Sequence, residues 1–218
     1  MNQFKMSLFL PPISPVKDSA TGRTVQPPTL TPYKEITLQE VYKLITSSEH
    51  LKTLTETVRR AAENGDEKIY RMLKQQTLPY VTPCGVFSYR KSDSLTGPSG
   101  LIVVDIDHLD SRGEAEKLKR QLFDDRLLRP VLAFTSPGGH GVKAFIPYDL
   151  ARIPDTRQNT SENIHWAMNY VQAIYDSHPD GEDKKTNHSG KGVDRSGKDL
   201  VRACFLSYDE EALIRREI

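Results

Sequence analysis

The sequence predicts an α+β fold, a mixed sheet flanked by helices with an N-terminal helical and αβ unit ahead of it. Strand-like runs at residues 80–89, 101–107, 130–134, 142–146 and 200–206 alternate with helical periodicity at 111–123 and 161–175. A separate three-helix pattern fills 37–76. The chain has 218 residues, 37% hydrophobic and 27% charged, enough for one sizeable core.

Residues 1–36 read as an extended, proline-rich lead-in, because Pro11, Pro12, Pro15, Pro27, Pro28 and Pro32 remove amide donors and fix φ. Lys5 to Leu10 can add one edge strand. Residues 37–78 form the helical subregion. Thr37 and Glu40 have capping-box spacing, and Leu38, Val41, Tyr42 and Ile45 share a face. Leu51, Leu54, Val58 and Ala62 mark a second helix and Ile69, Met72 and Leu73 a third, with Asn64-Gly65 as the break. Residues 79–218 are the α/β region, ending in a strand and a short terminal helix, and the whole is expected to be one compact domain.

Composition excludes several classes. Lys and Arg total 30 against 29 Asp and Glu, so the protein does not hold nucleic acid by bulk charge. Cys84 and Cys204 are too few for a disulfide framework or a zinc cluster. No apolar run approaches the roughly 20 residues of a membrane span. Met6 to Leu10 is too short for a secretion signal, and a cytoplasmic location with no membrane partner is expected.

Three features carry chemistry. Asp105 and Asp107 end the run Leu101 to Asp107 and, two apart on a strand, share one face. Paired carboxylates repel unless a cation neutralises them, and hard ions such as Mg2+ or Mn2+ take oxygen ligands. The plain alternative is two exposed acids in surface ion pairs. The pattern alone is shared with haloacid-dehalogenase-type phosphatases and Toprim nucleases. In a phosphatase Asp105 would be the nucleophile and a second acid pair would be needed downstream, for which Asp124-Asp125, at a helix end, is poorly placed.

The turn Ser136 to Gly141 carries Gly138, Gly139 and His140 and leads to Lys143 on the next strand. Glycines let amides approach a phosphate, and the lysine adds a charge. A hairpin turn with a solvated lysine has the same pattern. The tract 183–202 holds Lys184, Lys185, Lys191, Arg195, Lys198 and Arg202 against three acids, among them Asp194. It reads either as a solvated loop or as a nucleic-acid backbone contact with a third carboxylate. No nucleophile elbow, Walker loop or triad signature is present.

In that order the three features resemble the motifs of the archaeo-eukaryotic primase (primase-polymerase) superfamily: an acidic pair on a strand, a Ser- and Gly-rich turn ending in a base, and a later single Asp. More narrowly, residues 78–209 resemble the VirE N-terminal-type domain of Bacteroides mobile elements. The resemblance implies a primase-like fold whose catalytic half is like an RNA-recognition-motif sheet. It implies catalysis by Asp105, Asp107 and Asp194, which would bind two Mg2+ or Mn2+ ions. Ser136, Gly138, Gly139, His140, Lys143 and Arg202 would bind the nucleotide. Where the superfamily has histidine in the turn motif, Gly141 stands here, and Lys143 is taken as the substitute. Nucleoside triphosphates, a single-stranded DNA template and a replicative helicase outside this sequence are the implied partners. A binding module without catalysis is the alternative.

Overall fold

The computed structural model describes residues 4–175, 192–194 and 199–215. Lys184, Lys185, Lys191, Arg195 and Lys198 lie outside the described residues. The described strands and helices run β1 (Lys5–Phe9), β2 (Val16–Lys17), β3 (Thr24–Gln26), β4 (Lys34–Thr37), α1 (Leu38–Ser47), α2 (Glu49–Glu63), α3 (Glu67–Thr77), β5 (Tyr80–Thr82), β6 (Gly85–Phe87), β7 (Leu95–Pro98), β8 (Leu101–Asp107), α4 (Arg112–Phe123), β9 (Leu132–Thr135), β10 (Val142–Pro147), α5 (Thr156–Tyr175), β11 (Gly192–Val193), β12 (Cys204–Phe205) and β13 (Leu213–Ile214). Among the described residues no helix is long and apolar enough to cross a membrane.

Two sheets organise the chain. One has the order β11-β8-β10-β9-β13, the other β12-β5-β1-β4. The α+β expectation holds, but the described strand pairs are antiparallel, not mixed. Strands β8 and β9, joined through α4, point the same way, yet β10 inserts between them and opposes both. Helix–strand alternation in the sequence cannot distinguish this split unit from a parallel one. The segment from β8 to β11 thus reads β-α-β-β-α-β.

The sheet carrying β8 is covered on both faces. Ile102, Val104, Ile106, Val142 and Ile146 pack with Ala115 and Leu118 of α4 and Ile164, Ala167 and Met168 of α5. The opposite face, with Leu101, Val103, Leu132, Phe134 and Phe145, packs against Met6, Leu8, Val81 and the helices α1 and α2. Because side chains alternate along a strand, Asp105, Asp107 and Lys143 fall on this second face. There they border a cleft that α3 and β12 also line.

Several local expectations hold and several need correction. Thr37 caps α1 as a capping box, with Glu40 N donating to Thr37 Oγ1 at 3.3 Å and Thr37 N to Glu40 Oε2 at 2.8 Å. Strand β1 is not an edge strand: it lies between β5 and β4, since Met6, Leu8 and Phe9 are too buried for an edge. Helix α5 starts at Thr156, five residues before the expected start, where Asp155 accepts from Gln158 N at 2.8 Å. On α3, Ile69 and Met72 are exposed, while Tyr70 and Leu73 pack inward. The strand expected at 200–206 is the two-residue β12, which joins the other sheet through β5.

In place of the expected terminal helix, the tail ties the sheets together. Asp209 Oδ2 accepts from Thr135 N and from the fully buried Lys119 Nζ, both at 2.8 Å, and Asp209 N donates to Ile45 O. The chain turns here, with Ala212 N donating to Asp209 O at 3.1 Å, and then adds β13 beside β9, a pairing that a helix over these residues would lose.

Candidate metal and nucleotide site

The site is built where β8 and β10 lie side by side with β11. Asp105 and Lys143 are direct cross-strand partners, and Gly192 pairs with Asp107. Asp194 N then donates to Asp105 O at 2.9 Å, which carries the third carboxylate to the first two. One oxygen from each of Asp105, Asp107 and Asp194 lies within 4.8 Å of the others. Residues 87 positions apart in sequence therefore meet at one point, as the motif order led one to expect.

Two cations already sit among these acids. Lys143 Nζ pairs with Asp105 Oδ2. Arg202 Nη2 reaches Asp194 Oδ2 at 2.8 Å and Asp105 Oδ2 at 3.3 Å. Asp105 and Lys143 are 6% and 5% exposed, so neither charge would be tolerated alone. Burial by itself would raise the Asp105 carboxyl, but Lys143 and then Arg202 outweigh it and hold it below the usual range. For Lys143, burial opposes the charge and Asp105 overcomes it, so the ammonium is held above its usual range.

Asp107 differs from its neighbour. Burial, reinforced by the Asp105 charge, pushes its carboxyl up to about 6. Asp105 Oδ1, meanwhile, is buried without a hydrogen-bond partner among the described residues. An under-compensated carboxylate beside an orphaned carboxylate oxygen is a donor set that a divalent cation fits.

The acids open into a cleft of about 250 Å³ whose walls also include Tyr70, Lys74, Pro137, Asp199 and Phe205. Sequence reasoning missed Tyr70, Lys74 and Phe205. Tyr70 and Lys74 are four apart on α3, a spacing that puts both on one helix face. The apolar stripe Ile69, Met72 and Leu73 drew attention to a different one.

The glycine turn takes its expected place beside the acids, with a different internal wiring. Gly139 N donates to Ser136 O at 2.9 Å and Ser136 N to Gly141 O at 2.8 Å, so these two amides close the turn on itself. Gly139 needs its positive φ of 82°. A Cβ on Gly141 would lie 2.4 Å from Ile106 O, which explains the absence of any side chain there. Ser136, Gly138 and His140 line a second hollow of about 530 Å³, which shares Tyr70 and Asp107 with the first. His140 is exposed, its Nδ1 lying 3.2 Å from Leu109 O, and it does not line the acid cleft. Of the turn-motif bases, Lys143 is therefore the one at the acids.

The family model described as BT4734-like, N-terminal domain matches residues 72–213, more than half of the chain. The chain belongs to the BT4734-like, N-terminal domain family. Within it, the matched span of this BT4734-like domain begins inside α3 and includes Lys74, the three acids, the glycine turn, Lys143 and Arg202, while Tyr70 precedes it. The match accords with the expectation of a Bacteroides-associated domain and does not extend to the primase superfamily. No curated protein and no solved structure matches the chain.

Proposed function

We propose that this chain is a primase-like nucleotidyltransferase domain that extends a primer on a single-stranded DNA template in the replication of a mobile element. The observation that carries this reading is the convergence of Asp105, Asp107 and Asp194 within 4.8 Å at the mouth of a cleft. The β-α-β-β-α-β order with spatial sequence β11-β8-β10-β9 supports the RNA-recognition-motif-like half that a primase-like fold requires.

In this reading the three carboxylates hold Mg2+ or Mn2+, which when bound neutralises the triphosphate and polarises the primer hydroxyl. The 3′ oxygen forms a bond to the α-phosphorus and its proton passes to solvent. The bond from the α-phosphorus to the bridging oxygen breaks, and pyrophosphate leaves. Lys143 and Arg202 keep Asp105 ionised, and Arg202 also orients Asp194. The turn at Ser136 to His140 borders the space open to the nucleotide. No protein nucleophile is needed.

A second reading rests on a specific observation: Lys143 and Arg202 already neutralise Asp105, an arrangement that also suits a module that binds nucleotide or single-stranded nucleic acid without turning it over. The phosphatase reading fares worse. Its second acid pair would include Asp125, whose carboxylate is engaged by Leu127 N, Leu128 N and the hydroxyls of Tyr170 and Tyr175.

Primer extension on a single-stranded template with Mg2+ or Mn2+ tests the proposal. Incorporation is expected in the natural chain and should vanish when Asp105→Ala and Asp107→Ala are combined. Incorporation that survives both changes removes this site from the chemistry. Nucleotide binding without incorporation selects the binding module.

A further inference from the structure

Among the described residues three cations line the acid cleft, and two of them are committed. Lys143 and Arg202 are spent on Asp105 and Asp194. Lys74 is not: among the described residues its ammonium has no carboxylate partner, and it lies over two aromatic rings instead, 4.9 Å from the Tyr70 centroid and 5.7 Å from that of Phe205. The rings come from separate elements, α3 and β12, so the perch depends on the tertiary fold. All three residues border the same cleft as the acids.

A half-buried ammonium over ring faces gains cation–π attraction but has lost much of its hydration. Burial, and then Lys143 nearby, hold Lys74 below its usual range, so an anion entering the cleft would relieve a cost already present. Tyr70 adds a donor. Burial, and then Asp107, push its phenol up to about 12, so it keeps its proton at neutral pH.

We propose that Lys74, held on Tyr70 and Phe205, is the polyphosphate-binding cation of this cleft, a role the sequence pattern had assigned to Lys143. The inference rests on the nucleotide reading of the site for its biological meaning, but its chemistry requires only a polyphosphate anion. Lys143 is the internal counter-ion of Asp105. Lys74 meets the non-bridging oxygens of the phosphate tail, with the Tyr70 hydroxyl beside it.

The test is calorimetric titration of inorganic tripolyphosphate, and separately of a nucleoside triphosphate, into the full chain with Mn2+ present. Lys74→Met keeps the apolar stem on the rings and removes only the charge. It should weaken binding of both probes by roughly 10- to 100-fold, the range for a charge-assisted contact. Lys74→Arg should retain most of the affinity, and Mn2+ titrated alone should bind Lys74→Met as it binds the natural chain. Unchanged tripolyphosphate affinity in Lys74→Met overturns the proposal, as does a loss of Mn2+ binding in parallel. Failure of the natural chain to bind either probe overturns it together with the nucleotide reading. Lys74-dependent binding without primer extension upholds the phosphate seat and sinks the catalytic reading alone.

Discussion

Asp107→Asn should make the metal-free protein more stable at neutral pH, although it removes a proposed ligand. Burial and Asp105 push the Asp107 carboxyl up to about 6, whereas in the unfolded chain it titrates near its ordinary value of about 4. The folded state therefore prefers the protonated form. On this group's account, stability is highest at acid pH, falls as pH rises between those two values, and stays reduced above about 6. The gap sets an upper limit of ~3 kcal/mol, because one pH unit of separation corresponds to about 1.4 kcal/mol. Asparagine carries no such penalty. Urea unfolding in a chelator should show Asp107→Asn gaining up to that amount at pH 8 and close to nothing at pH 4. Millimolar Mn2+ should raise the midpoint of the natural chain at pH 8 and leave the variant unmoved. A variant less stable than the natural chain at pH 8, or one that Mn2+ stabilises equally, would refute the reasoning.

Three other perturbations probe the frame. Asp209→Ala leaves the fully buried Lys119 with Glu116 alone and frees Thr135 N, and should cost about 1.5–3 kcal/mol in denaturant unfolding, the range for a lost hydrogen bond to a charged group. Burial would raise the Asp209 carboxyl, but Lys119 and Thr135 hold it low, so its contribution is present above about pH 4 and lost as pH falls through its lowered value. Gly141→Ala places a Cβ 2.4 Å from a backbone oxygen of β8 and should lose about 1–3 kcal/mol, with reduced Mn2+ binding as the turn shifts from Asp107. Asp105→Ala leaves Lys143 buried beside Arg202 and should lower the thermal midpoint more than Asp194→Ala, whose carboxylate is more exposed.

The parts of the fold and site that follow one-dimensional rules were legible in the sequence. The period of two put Asp105 and Asp107 on one face, and capping-box spacing located the start of α1. What escaped depends on which element covers which. The insertion of β10 between β8 and β9 leaves no local mark, and a two-residue strand such as β12 has too little pattern to announce its sheet. On α3 the rule itself misled. Ile69 and Met72 suggested the buried face, yet Tyr70 and Lys74 line the cleft because aromatic rings and a lysine stem can coat a polar hollow while keeping their polar tips wet. The preference for Lys143 over His140 rested on the resemblance, and the register that sets Lys143 opposite Asp105 gives it a geometric ground.

The near-zero net charge has a counterpart at the site. Among the described residues four carboxylates, Asp105, Asp107, Asp194 and Asp199, come close to balancing three cations, Lys74, Lys143 and Arg202, in one cleft. Such a centre needs no metal in order to fold, and that very balance makes it a reluctant ligand. An entering divalent ion can use the unpartnered Asp105 Oδ1, but it adds charge beside Lys143 and Arg202 and, below about pH 6, must displace a proton from Asp107. A triphosphate changes the balance, because its negative oxygens offset the charge that the ion adds. Metal and nucleotide should therefore bind cooperatively. Free Mn2+ followed by electron paramagnetic resonance should show affinity rising roughly tenfold or more when a nucleoside triphosphate is present, and linkage requires the nucleotide to gain the same factor from the metal. Arg202→Met should strengthen Mn2+ binding to the nucleotide-free chain and shrink that factor. Equal Mn2+ affinity with and without nucleotide would mean that metal and nucleotide are not coupled at this centre, and would refute the argument.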